Sequence, residues 1–76
     1  MSQSKANIHG YNVYYENYED VKEGLNYLGY DLDANEAKTL FDAAKVDGLA
    51  EFQDEYARNF SLLYDTSWGS YTITKR

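Results

Sequence analysis

Apolar positions Tyr11, Tyr14, Tyr18, Val21, Leu25, Leu28 and Leu32 recur at spacings of 3, 4, 3, 4, 3 and 4. A seam of that period suits one helix over 11–30. Gly24 and Gly29 oppose it, each weakening a helix interior by about 1 kcal/mol relative to alanine. Tyr11 to Tyr15 is also rich in β-formers and bounded by Gly10, and Asn17 followed by Asp20 reads as an N-cap with an acidic first turn. The pattern therefore predicts a strand at about 10–15 and a helix at about 18–29. A second helix begins at Asp33, with Glu36 placed for a capping box. Ala37, Leu40, Phe41 and Ala44 form its apolar stripe, and Gly48 supplies a left-handed stop. Leu49, Phe52, Tyr56 and Phe60 continue at 3, 4 and 4, which predicts a third helix from about 49 to 59.

After Asn59 the period changes to two. Phe60, Leu62 and Tyr64 alternate with their neighbours, Asp65 to Gly69 is turn chemistry, and Ser70 to Thr74 is β-branched and aromatic. The expected fold is α+β: three short helices packed with a C-terminal hairpin of 60–64 and 70–75, which the 10–15 strand can join. Residues 1–9 read as a flexible tail and 10–76 as one small domain. The expected core is Val21, Leu25, Leu28, Leu40, Phe41, Phe52, Tyr56 and Ile73.

Length bounds this picture. In 76 residues a single core supplies only a few kcal/mol of net stability, so such domains often add staples. With no cysteine, neither a disulfide nor a thiolate-bound zinc is available, as befits a reducing compartment. Thirteen aromatic residues must supply much of the burial, or two copies must share a core; a monomer and a homodimer both fit. The longest apolar runs are far short of the ~20 residues a membrane span needs. Residues Met1–Lys5 read as neither a signal peptide nor a myristoylation site, so none is expected. The expected location is the cytoplasm.

Charge changes the functional reading most. The formal net charge is −6, and all thirteen acidic residues fall between Glu16 and Asp65. Only Lys22, Lys38, Lys45 and Arg58 lie within that span, leaving it at −9. Such a surface repels phosphate and disfavours direct nucleic-acid binding, but attracts a basic protein surface. On helices, Glu16, Glu19, Asp20 and Glu23 form one expected row and Glu51, Asp54 and Glu55 a second. Exposed tyrosine and tryptophan are favoured contact residues, which adds Tyr15, Tyr27, Tyr30 and Trp68 to the partner-binding set.

Enzymatic chemistry finds little footing. The one histidine, His9, has no neighbour in sequence that completes a nucleophilic triad, and no phosphate-cradling glycine loop is present. No catalytic residue, cofactor or metal ligand is expected. Residues 36–56, EAKTLFDAAKVDGLAEFQDEY, resemble half of an EF-hand, with Phe52 and Tyr56 where such helices place aromatics. The calcium cage is broken: with Gly48 at the turn position, Ala43 and Lys45 fall where the first two oxygen ligands belong. In size and charge the chain resembles small acidic inhibitors of defence nucleases, many of them carried by phages. The functional expectation is thus a non-enzymatic module that engages a basic protein as a regulator or inhibitor. The alternatives are a nucleic-acid-mimicking inhibitor of a nucleic-acid-binding protein and a degenerate EF-hand-like structural domain.

Overall fold

Reciprocal capping fixes the longest helix. In the computed structural model, which describes residues 4–76, the Glu36 N–H donates to Asp33 Oδ1 at 2.8 Å and the Asp33 N–H donates to Glu36 Oε1 at 3.0 Å. The helix, α2, runs Ala34–Asp47 and stops at Gly48, whose φ of +83° is the left-handed closure glycine permits. Before it lies α1, Tyr18–Asn26, capped by Asn17, whose side chain accepts from the Glu19 N–H at 3.1 Å. A single π-helical turn, Tyr27–Asp31, extends α1, closed by the Leu32 N–H donating to the Tyr27 carbonyl at 2.9 Å.

The remaining elements form one sheet. Its strands are β1 (Ser4–Ile8), β2 (Tyr11–Tyr15), β3 (Leu49–Gln53), β4 (Asn59–Asp65) and β5 (Ser70–Lys75), in spatial order β1-β2-β5-β4-β3. Only β2 and β5 run parallel, joined through Val13 with Tyr71 and Tyr14 with Thr72; the other neighbours are antiparallel. β1 and β2 meet in a two-residue turn, His9 (φ +52°) and Gly10 (φ +89°). Two left-handed residues match the twist of the strands they join.

Both helices cover one face of the sheet. Val13, Ala50, Phe52, Phe60, Leu62, Tyr71 and Ile73 point into that layer and are buried with Val21, Leu25, Leu28, Ala37, Phe41 and Ala44. Tyr11 stacks on Phe41 with centroids 4.1 Å apart, and Tyr71 meets Phe41 edge-on at 4.8 Å. A second stack runs Tyr27–Phe52–Phe60 at 6.0 and 5.5 Å. Alternate strand residues face away from the helices: Lys5, Tyr14, Thr72, Leu63 and Leu49 make one cross-strand row. An antiparallel-rich sheet with one solvated face is the expected use of this alternation.

Gly24 has a packing role. A Cβ there would lie 2.9 Å from both Ile73 Cδ1 and Phe60 Cδ1, so α1 sits against β4 and β5 at a distance only glycine allows. The helix propensity lost at Gly24 is offset by that close approach.

Three expectations are corrected. The chain is α+β with two helices and a five-stranded mixed sheet, not three helices with a C-terminal hairpin. The expected third helix is instead β3, a tight loop and the start of β4. Phe52 and Phe60 satisfy the helical spacing and the strand alternation alike, but Ala50 and Phe52 are buried while Leu49, Glu51 and Gln53 are exposed. Backbone pairing with β4 overrides the modest β-propensity of Leu-Ala-Glu-Phe-Gln. Tyr56, expected in the core, falls in the loop and is 72% exposed. Residues 4–8, read as tail, form the edge strand β1, where Ala6 and Ile8 alternate with Lys5 and Asn7. The hairpin, the strand at 11–15 and both ends of α2 lie where the pattern placed them.

Two substitutions separate this fold from a three-helix one. Phe41→Ala, at a site with no exposed surface, is expected to cost about 3–5 kcal/mol in denaturant unfolding, whereas Tyr56→Ala should cost under about 1 kcal/mol; comparable losses at both sites would restore the helical phase. Gly24→Ala gains about 1 kcal/mol of helix propensity but forces the Phe60 ring to move. It should be destabilising by about 1–3 kcal/mol net, read as a lower melting temperature.

Candidate binding surface

Sorting charged residues by layer separates the two halves of the molecule. Residues 16–47, the helices with their flanking links, hold nine carboxylates against Lys22, Lys38 and Lys45, a net −6. The strands and their loops hold Glu51, Asp54, Glu55 and Asp65 against Lys5, Arg58, Lys75 and Arg76, a net of zero. The whole formal charge of the protein therefore lies on the helical layer. Glu16, Glu19, Asp20, Asp31, Asp33, Glu36, Asp42 and Asp47 are all exposed there, and Glu23 is half-buried.

Local bonding grades these carboxylates. Glu19 pairs with Lys22 at 3.3 Å, and Asp42 with Lys38 at 2.7 Å. The Asp42 hydrogen bond and charge hold the Lys38 ammonium above its usual range. Glu23 reaches Arg58 at 3.8 Å. Glu16 and Asp20 have no ion pair among the described residues. Together with Asn17, Val21 and residues 72–75 of β5 they line a groove of about 340 Å³ at the start of α1. Glu16 precedes the cap and Glu19, Asp20 and Glu23 follow it; Glu16 and Asp20 share the groove, whereas Glu19 turns to Lys22 and Glu23 to Arg58.

The second expected row has no helix to carry it. Glu51 is on β3 and binds Arg76 across the sheet at 2.6 Å. Glu55 is exposed in the β3–β4 loop. Asp54 organises that loop: its Oδ1 accepts from the N–H groups of Tyr56 and Arg58, both at 2.9 Å, and its Oδ2 accepts from Arg58 Nε at 2.6 Å. Its side chain is only 3% exposed. Burial alone would push the Asp54 carboxyl up; the three donors outweigh it and hold the group below the ordinary carboxylate value. The same pairing raises Arg58.

The aromatic residues divide too. Tyr15 and Tyr27 are half-buried and pack on the core. Tyr30 is 84% exposed, in the turn after α1. Trp68, 82% exposed, projects from the β4–β5 turn beside a concavity of about 310 Å³ bordered by Tyr14, Asp65, Ser70 and Thr72, on the side of the sheet away from the helices. The expected partner-binding residues therefore occupy two opposite faces. Asp31, Asp33, Glu36, Asp42 and Asp47 enlarge the acidic face beyond the expected rows. Their signal in sequence was the run of carboxylates on the polar side of the Ala37–Phe41–Ala44 stripe.

Among the described residues no cluster of histidine, aspartate and glutamate is arranged to hold a metal ion, and no helix is long and apolar enough to cross a membrane. No protein-family model matches the chain, and the comparisons with curated proteins and with solved structures found no match.

The Asp54 anchor gives a signed pH dependence. Unfolded aspartate titrates near pH ~3.9, and the folded group titrates lower. As pH falls through that interval the unfolded chain takes up a proton that the folded chain refuses, so the stability Asp54 contributes is complete above the interval and is lost below it. Asp54→Asn should lower stability at neutral pH and flatten the acid limb of a plot of unfolding free energy against pH. An unchanged acid limb would remove Asp54 as the anchor.

Proposed function

We propose that the protein is a non-enzymatic binding module whose helical layer engages a basic surface on a partner protein, acting as a regulator or inhibitor. The observation that carries this reading is the segregation of charge: a net −6 on one layer and none on the other. Carboxylates kept for solubility alone have no reason to go uncompensated on one layer only, since an even mixture of signs serves solubility as well. A one-sided field orients an approaching cationic surface and speeds the encounter. Glu16 and Asp20, free of ion pairs among the described residues, are the residues a partner's lysine or arginine reaches without first breaking a bond.

Joint charge reversal of Glu16, Glu19 and Asp20 to lysine tests the reading, because all three are exposed and the circular dichroism of the variant should match the parent. Material captured from lysate by the parent at low salt should be lost by the variant, and should also be lost by the parent at about 0.5 M salt, where screening shortens to a few ångströms. Displacement of the captured partner by added duplex or single-stranded nucleic acid would narrow the reading to nucleic-acid mimicry. Capture that survives the reversal but is removed by Trp68→Ala would move the binding face to the far side of the sheet and overturn the proposal.

A further inference from the structure

β3 ends the sheet, and among the described residues its outer edge is unpaired. The Tyr64 N–H donates to the Gly48 carbonyl at 3.1 Å, and the Asp54 N–H donates to the Arg58 carbonyl at 3.1 Å. Antiparallel ladders alternate, so between those two rungs Ala50 and Phe52 turn their backbone groups toward β4. Leu49, Glu51 and Gln53 turn theirs outward. No protein group among the described residues bonds those outward N–H and C=O groups. Natural sheets blunt such edges with proline, lysine, bulges or a covering loop. The opposite edge strand, β1, carries Lys5; β3 carries neither proline nor lysine.

A groove accompanies that edge. Between α2 and β3 lies an open channel of about 520 Å³, walled by Leu40, Ala43, Leu49 and Ala50, with Asp47 and Glu51 completing its lining. We infer that this edge and groove accept an extended segment of alternating apolar and basic residues as a sixth strand. Main-chain bonds to Leu49, Glu51 and Gln53 would supply affinity and alternate side chains selectivity. Those turned toward the helical layer meet Leu40 and Ala43, so they are apolar. Those turned the other way meet Glu51, whose Oε2 holds Arg76 at 2.6 Å and whose Oε1 has no ion pair among the described residues, so they are basic, and Asp47 takes a further cation at the end of α2. A second copy of this chain is the wrong occupant: pairing β3 with β3 brings Glu51 against Glu51 and sets two −6 molecules side by side. The inference rests on the basic-partner reading above and gives it a docking mode.

The probe is a short alternating lysine–valine peptide, binding the full chain at low salt. Its control is the same peptide N-methylated at every residue, which keeps charge and apolar side chains but cannot donate a main-chain hydrogen bond from either edge. The unmodified peptide should bind about tenfold or more tighter than the control, since it alone makes the main-chain bonds. Amide exchange at Leu49, Glu51 and Gln53 should slow on saturation by a similar factor, while β1 stays unchanged. Ala43→Arg, which fills the groove with a cation, should weaken the unmodified peptide to the level of the control. Equal binding of both peptides without amide protection overturns the added-strand site and leaves the acidic-face reading standing. Failure of both peptides to bind overturns both. Protection of the same three amides by raising the protein concentration without peptide identifies a second copy as the occupant and overturns the inference.

Discussion

Two residue pairs hold the halves of this sheet together. Val13 with Tyr71 and Tyr14 with Thr72 join the N-terminal hairpin to the C-terminal meander, and the members of each pair lie 58 positions apart in sequence. Closing a loop of that length costs about 3–4 kcal/mol beyond a constant term, more than two short rungs return at about 1 kcal/mol each. The deficit is met above the junction. Tyr11 enters from β2, Tyr71 from β5 and Phe41 from α2, and their three rings touch one another within 5.6 Å. Burying Phe41 and Tyr71 contributes about 1.5–3 kcal/mol each, with up to about 1.5 kcal/mol more per aromatic contact. Among the tyrosines crowded into residues 11–18, Tyr11 thus serves first to close a sheet across most of the chain.

The same closure assigns the layers their chemistry. Once Phe41 and Gly24 press α2 and α1 onto one face, the outward side of each helix becomes the solvated surface of that layer and carries its carboxylates. The strands keep their far face wet with Thr72, Thr74, Asn7 and Asn12, and their charges cancel locally, as between Glu51 and Arg76. Asp54 belongs to neither surface. Its carboxylate takes the place of a backbone partner for two N–H groups in the loop from β3 to β4, and Arg58 carries that loop across to Glu23 on α1.

What was legible in the sequence was what local chemistry determines. Asp33 and Glu36 specify one end of α2 and Gly48 the other, because both signals act within a few residues. The hairpin of β4 and β5 was readable for the same reason: period-two alternation on either side of Asp65–Gly69. The third helix was misread because Phe52 and Phe60 are eight apart, a spacing that serves two helical turns and an even number of strand residues equally well. Only pairing with Leu62 and Phe60 across the sheet decides between them, and pairing partners are not encoded near residue 50. β1 was missed because five residues with one large apolar side chain, Ile8, give little periodicity; its clue was Gly10 after His9, a two-residue turn placed before a recognisable strand. For the candidate site, the acidic bias was visible in composition, but its confinement to one layer was not, since layers exist only after the strands on both sides of the helices have met.

Charge confined to one layer carries a thermodynamic consequence. Nine carboxylates with three lysines among them repel one another in the folded state more than in an expanded chain, so the helical layer is held down against its own field. Pairs such as Glu19–Lys22 and Asp42–Lys38 relieve little of this, because exposed ion pairs contribute at most about 1 kcal/mol. A cationic partner laid over the layer removes repulsion as it forms contacts, and it favours the folded state over the unfolded one by mass action. Binding and stability are therefore coupled through the same carboxylates. A domain this small, with its sheet closed by two rungs and three rings, gains more from that coupling than a larger core would.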